Sequence, residues 1–106
     1  MSPHLMGALL AALSVRPAPA TPIRAGISPQ LALDARGTIR IIFGQADTIF
    51  AVTSADQGVT FSKPAVVGVV EGMHLGNTRG PVIASSRDNS LVLAGDKTGN
   101  IHVFRL

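Results

Sequence analysis

The chain of 106 residues contains no cysteine, no tryptophan and no tyrosine, and only four phenylalanines. Without thiols there is no disulfide framework, no thiolate nucleophile and no cysteine-held zinc, and residue usage leaves the redox compartment unmarked. So few aromatic rings weaken any scheme built on stacking bases or sugars. Charge is sparse too: charged residues make up 14% of the chain and the formal net charge is +3. The basic residues, from Arg16 to Arg105, are scattered without a run, whereas nucleic-acid binding calls for a clustered basic face. What the chain has instead is apolar content, 46% of its residues, with 11 Gly and 7 Pro. That composition packs one small core and is too apolar for a disordered chain.

One long apolar run is present, Leu5 to Val15 (LMGALLAALSV), followed by Arg16, Pro17 and Ala18-Pro19-Ala20. A bilayer span needs about 20 apolar residues, whereas about 7 to 15 before a small-x-small site suit a secretory signal. Residues 1–20 therefore read as a signal peptide cleaved after Ala20, which implies a secreted or periplasmic protein with no membrane span. Residues 21–28 then form a linker. The α-amino group and His4 are the only positive charges ahead of the apolar run, so an N-terminal extension is the competing reading.

From Gln30 onward, short apolar or alternating runs are separated by turn clusters, and no stretch holds a helical period. The body is expected to be all-β. Strands are predicted at Gln30 to Asp34, Thr38 to Gly44, Thr48 to Thr53, Ala65 to Val70, Val82 to Ser86, Ser90 to Gly95 and Asn100 to Arg105. Between them, Ala35-Arg36-Gly37, Arg87-Asp88-Asn89 and Lys97-Thr98-Gly99-Asn100 supply residues that tolerate positive φ or cap a turn. At an offset of 52, Pro29 falls on Pro81, Leu31 on Ile83, Ala32 on Ala84, Ile39 on Leu91, Ile41 on Leu93 and Ile49 on Ile101, without a gap. A period near 50 residues with four strands is the size of a β-propeller blade. Chance self-matching of regular hairpins is the alternative.

Ser54-Ala55-Asp56-Gln57-Gly58-Val59-Thr60-Phe61 fits S-x-D-x-G-x-T-[FW] at every fixed position. This resembles the Asp box, the repeat of bacterial neuraminidases, other sialidases and related β-propellers. The spacing suits a tight turn: the Asp56 carboxylate accepts from nearby backbone N–H groups, Gly58 takes the left-handed conformation and Phe61 anchors the corner. In the family these boxes join the third and fourth strands of a blade, away from the ligand site, so the resemblance makes Asp56 structural. Non-sialidase propellers use the box as well.

A second resemblance runs from Arg79 to Arg105. Arg79-Gly80-Pro81-Val82-Ile83, Asn89-Ser90-Leu91-Val92-Leu93-Ala94 and Asn100-Ile101-His102-Val103 are similar to the opening strands of a sialidase, where R-x-P precedes the first strand. The resemblance implies that Arg79 binds a substrate carboxylate, as a planar guanidinium does in bidentate fashion. It also implies Asp96 as acid/base, in the loop after the second strand, together with a blade face on which Arg79, Asp96 and Asp47 converge. In the first unit Ile27 stands where Arg79 does in the second. The family also uses a tyrosine nucleophile with a glutamate partner and two further arginines from later blades; this chain has no tyrosine, and its single glutamate, Glu71, reads as a strand-end or loop residue. His4, His74 and His102 lack metal-site spacing, so no metal or cofactor is expected.

The expectation is thus antiparallel four-stranded blades of a sialidase-like propeller: a first blade at 29–77, a partial second at 78–106, and further blades or open-edge self-association as partners. The parent would be an exo-acting glycoside hydrolase, with this chain not catalytic alone. The alternatives are a non-catalytic Asp-box propeller binding a glycan or protein, and a small secreted β-protein that oligomerises.

Overall fold

The computed structural model describes residues 22–87 and 89–106. The signal assigned to residues 1–20 lies outside the described residues. Seven strands follow in order: β1 (Ile27–Leu33), β2 (Ile39–Gln45), β3 (Thr48–Ser54), β4 (Ala65–Val69), β5 (Val82–Ser86), β6 (Asn89–Gly95) and β7 (Ile101–Arg105). All-β architecture is therefore as expected, with no helix among the described residues and so none that could cross a membrane. β1 begins two residues inside the stretch read as linker, because Ile27 already pairs with Gly44.

The strands form two antiparallel sheets, β1-β2-β3-β4 and β5-β6-β7, neither closed on itself. β-branched and aromatic residues dominate β2 and β3, the central strands of the first sheet, where a pleated surface favours them. Their register is unbroken from Ile39↔Ser54 to Gln45↔Thr48. One face carries Ile42, Ile49 and Ala51, which meet Val92 and Ala94 of β6 together with Val70 and Met73 of the β4–β5 connection. This is the core, and it lies between the sheets. Phe104 of β7 reaches across to β4 and rests on Gly68, where any Cβ would collide with its ring. The sheets also approach each other along β1 and β5.

On the far face of the first sheet, Phe43 and Phe50 stack with centroids 5.8 Å apart, and the Arg24 guanidinium sits 4.1 Å from the Phe50 centroid. The chain ahead of β1 thus covers part of this face. The far face of the second sheet is bare: Val82, Leu91, Leu93, Ile101 and Val103 are 36–68% exposed and share it by register.

The 52-residue repeat holds in strand order and fails in register. Shifting Ile41↔Val52 by 52 predicts Leu93↔Phe104, but Leu93 pairs with Val103 and Phe104 with Val92. The cause lies in the hairpins. β1–β2 closes beyond Leu33↔Ile39 over Asp34 to Thr38, and β2–β3 closes beyond Gln45↔Thr48 over two residues. In the second sheet the order is reversed: β5–β6 closes beyond Ser86↔Asn89 over two residues, and β6–β7 beyond Gly95↔Ile101 over Asp96 to Asn100. An odd loop exchanged for an even one slips pairing by one residue, and such a slip turns every side chain to the other face.

Candidate functional site

Antiparallel connection places the loops at two ends. One end holds the β1–β2 loop, the Asp-box segment and the β5–β6 turn. The other holds the β2–β3 turn with Asp47, the long β4–β5 connection with Arg79, and the β6–β7 loop with Asp96. Backbone hydrogen bonds knit this second end together: Val70 N–H donates to Asp47 O at 2.7 Å, His74 N–H to Gly95 O at 2.9 Å and Lys97 N–H to Gly72 O at 3.0 Å. Arg79, Asp47 and Asp96 therefore occupy the end opposite Asp56.

The Asp-box segment closes as a turn. Asp56 accepts from the Thr60 N–H at 2.9 Å and the Thr60 hydroxyl at 2.5 Å, while the Ser54 hydroxyl donates to Asp56 at 2.8 Å and accepts from Gly58 N–H at 2.9 Å. Gly58 has φ +88°, and Phe61 is half-buried. These bonds, the Thr60 hydroxyl first, lower the Asp56 pKa to about 2. A carboxylate so held anchors a loop. A cleft of about 400 Å³ lies beside this turn between Ile23 and Phe61 and is remote from Arg79 by topology.

Arg79 is exposed at the rim of a smaller cleft of about 280 Å³, together with Ser28, Gln30, Asn77 and Thr78. Among the described residues no side chain pairs with its guanidinium. A serine builds the cleft. Ser28 has φ +58°, in the irregular stretch of β1 between Ile27 and Gln30, and its Oγ lies 2.8 Å from Gly76 O and 2.7 Å from Arg79 O. The Gly76 N–H donates to Arg79 O at 2.9 Å, closing the 76–79 loop, and a Cβ at Gly80 would collide with Ser28. Left-handed backbone costs a non-glycine residue roughly 1–2 kcal/mol, and the hydroxyl offsets it by sharing its one proton between the two carbonyls while accepting from Gly76 N–H at 3.2 Å. A bulge that re-aims a side chain is a common device beside a binding cleft.

Asp96 is occupied. Its Oδ1 accepts from Thr98 N–H at 2.9 Å, the Thr98 hydroxyl at 2.7 Å and Asn100 N–H at 3.0 Å, and its Oδ2 lies 2.9 Å from His102 Nε2. The His102 contact first, then Thr98, hold the carboxyl well below the usual carboxylate range. A general acid near neutral pH needs a raised value, so the arrangement suits a loop anchor better than a proton donor. Asp47 contributes a backbone carbonyl at this end. No group of three or more His, Asp or Glu among the described residues could hold a metal ion.

Asp34, which the motif reading passed over, is built like Asp96. Its Oδ1 accepts from Arg36 N–H at 2.9 Å and Thr38 N–H at 3.0 Å, and Arg40 Nη1 donates to Oδ2 at 2.8 Å. Arg40 first, and then the backbone donors against the opposing effect of burial, lower its pKa. Gly37 N–H returns to Asp34 O at 3.0 Å and Gly99 N–H to Asp96 O at 3.1 Å, with φ +81° and +96°. Within each five-residue connection Asp34 N–H donates to Thr38 O or Asp96 N–H to Asn100 O, so residues 35–37 and 97–99 form a turn ending in a left-handed glycine, the preferred closure of a three-residue hairpin loop. The sequence signal was Asp34-Ala-Arg-Gly-Thr-Ile-Arg40-Ile against Asp96-Lys-Thr-Gly-Asn-Ile-His102-Val, an offset of 62 instead of 52.

The fold and site define an all-β protein of two stacked antiparallel sheets with a polar cleft at their seam. Comparison with known proteins finds no family model, no curated protein and no solved structure that matches the chain.

Proposed function

We propose that the chain is a pair of stacked blades of a sialidase-like, exported β-propeller whose role is to bind an acidic glycan without hydrolysing it. The observation that carries this reading is the contrast at one end of the sheets: among the described residues the Arg79 guanidinium has no side-chain partner at the rim of a polar cleft, while the Asp96 carboxylate is consumed by its own loop. Such a guanidinium flanked by Asn77 and Thr78 offers bidentate pairing to a sugar carboxylate with hydroxyl and amide groups beside it. The bare apolar face of the second sheet supports blade stacking, since a patch of this kind marks an interaction surface.

The test is titration of free N-acetylneuraminic acid into the ¹⁵N-labelled chain. Amide shifts confined to residues 76–80, abolished by Arg79→Ala, are the expected result. Shifts that persist in the variant remove Arg79 from the reading. Release of fluorophore from a 4-methylumbelliferyl sialoside replaces it with the hydrolytic one. That second reading is favoured by the shared end of Arg79, Asp47 and Asp96, and it requires loss of turnover in Asp96→Ala.

A further inference from the structure

The two aspartate-centred loops do more than close their own hairpins. In each, the residue after the aspartate donates its backbone N–H to a different part of the fold. Ala35 N–H reaches Arg87 O of the β5–β6 turn at 2.8 Å, joining the first sheet to the second, and Lys97 N–H reaches Gly72 O of the inter-sheet connection at 3.0 Å. Met73 and Asp96 form an antiparallel bridge alongside the second contact, and Met73 is part of the buried core. Each loop is thus a strap at one end of the stack. Each carboxylate is nearly covered, 2% exposed for Asp34 and 9% for Asp96, and each is closed by a nitrogen six residues on. In one strap that nitrogen belongs to Arg40, and in the other to His102.

We propose that the β6–β7 loop is a proton-tightened strap between the sheets, closed by His102 on Asp96, while the β1–β2 loop is its proton-indifferent counterpart. The guanidinium of Arg40 stays charged at every accessible pH, whereas imidazole is the side-chain type that gains a charge on acidification. With neutral His102 the Nε2–H···Oδ2 contact is a hydrogen bond to a carboxylate. With protonated His102 the same contact, at the same 2.9 Å, becomes a full ion pair. The rival group near the strap is the second imidazole, His74, whose backbone N–H is bonded to Gly95 O beside the loop. The connection packed against the loop carries exposed Glu71, half-buried His74 and exposed Arg79, the β2–β3 turn at the same end carries Asp47, the loop itself carries exposed Lys97, and β4, β5 and β6 carry no charged residue; Arg79 and, on β7, Arg105 keep their charge throughout. Because the His102 side chain is 37% exposed, solvent screens the pair and the effect is modest.

The measurement is residue-resolved amide exchange on the full chain at pH 5 and pH 8, corrected for intrinsic exchange. The opening constants of Lys97, Thr98 and Asn100 are expected to be about threefold smaller at pH 5, the size of one exposed ion pair, while those of Ala35, Arg36 and Thr38 stay level. His102→Gln flattens the first set, His102→Arg flattens it with protection kept, and His74→Gln leaves the wild-type trend in place. Equal protection at both pH values in the wild type overturns the proposal. So does a trend that survives His102→Gln or vanishes in His74→Gln.

Discussion

The hairpins β1–β2 and β6–β7 are the same device placed in two different settings. Both end in Asp-x-x-Gly-x-Ile, and both bind two loop amides with Oδ1. Both also pair Oδ2 with a nitrogen on the return strand. Their registers agree as well, since Ala32↔Arg40 corresponds to Ala94↔His102 and Leu31↔Ile41 to Leu93↔Val103. They differ in position. The first is an edge hairpin of a four-stranded sheet, while the second ends a three-stranded sheet with no strand beyond β7 among the described residues. The difference shows that loop chemistry is local and portable, while the burial of the following strand belongs to the neighbours.

The largest effect separates the settings. Ile42 and Phe104 stand eight residues after their aspartates, yet Ile42 is fully buried and Phe104 only half-buried. Ile42→Ala is expected to lower the unfolding free energy by about 2–5 kcal/mol, as for a buried aliphatic truncation, and Phe104→Ala by less. Equal losses in urea denaturation would break the distinction. The next experiment sharpens the likeness. Gly37 and Gly99 both have positive φ and open space where a Cβ would stand, so each Gly→Ala change is expected to cost the same, about 1–2 kcal/mol of backbone strain.

Acid should weaken all three aspartate loops in the same direction. A carboxyl whose folded pKa lies below its unfolded value contributes stability above the unfolded value and loses it as pH falls through the folded one. For Asp56 that window runs from 3.8 down to about 2. The urea midpoint is expected to fall across it, and Thr60→Val, which removes the hydroxyl that contributes most, makes the fall shallower. The smallest effect tests interchangeability. Because Arg40 and His102 occupy matching register positions, Arg40→His should give the β1–β2 loop an exchange trend with pH of about threefold, the size of one exposed ion pair. A flat profile would show that the setting, not the side chain, governs the strap.

The strands were legible because their alternation and turn residues are strong local signals, and all seven lie within about two residues of their predicted limits except β1, which starts earlier. Ser28 was not legible. Its role depends on Gly76, Arg79 and Gly80, about fifty residues away, and only Pro29 hinted at an irregular strand. The pairing register of the second sheet was not legible for a related reason: matching apolar positions at 52 ignores loop parity, which the Asp34 and Asp96 sequences carry at 62.

By itself the sequence determined the all-β class, the strand positions and the aspartate turns, because each depends on contacts within a few residues. The tertiary structure decided which face of each strand is buried, that Arg79 has no side-chain partner among the described residues while Asp96 is consumed, and that two similar loops strap opposite ends of one stack. Those outcomes arise from packing and hydrogen bonds between distant segments, and a one-residue difference in a loop is enough to redirect them.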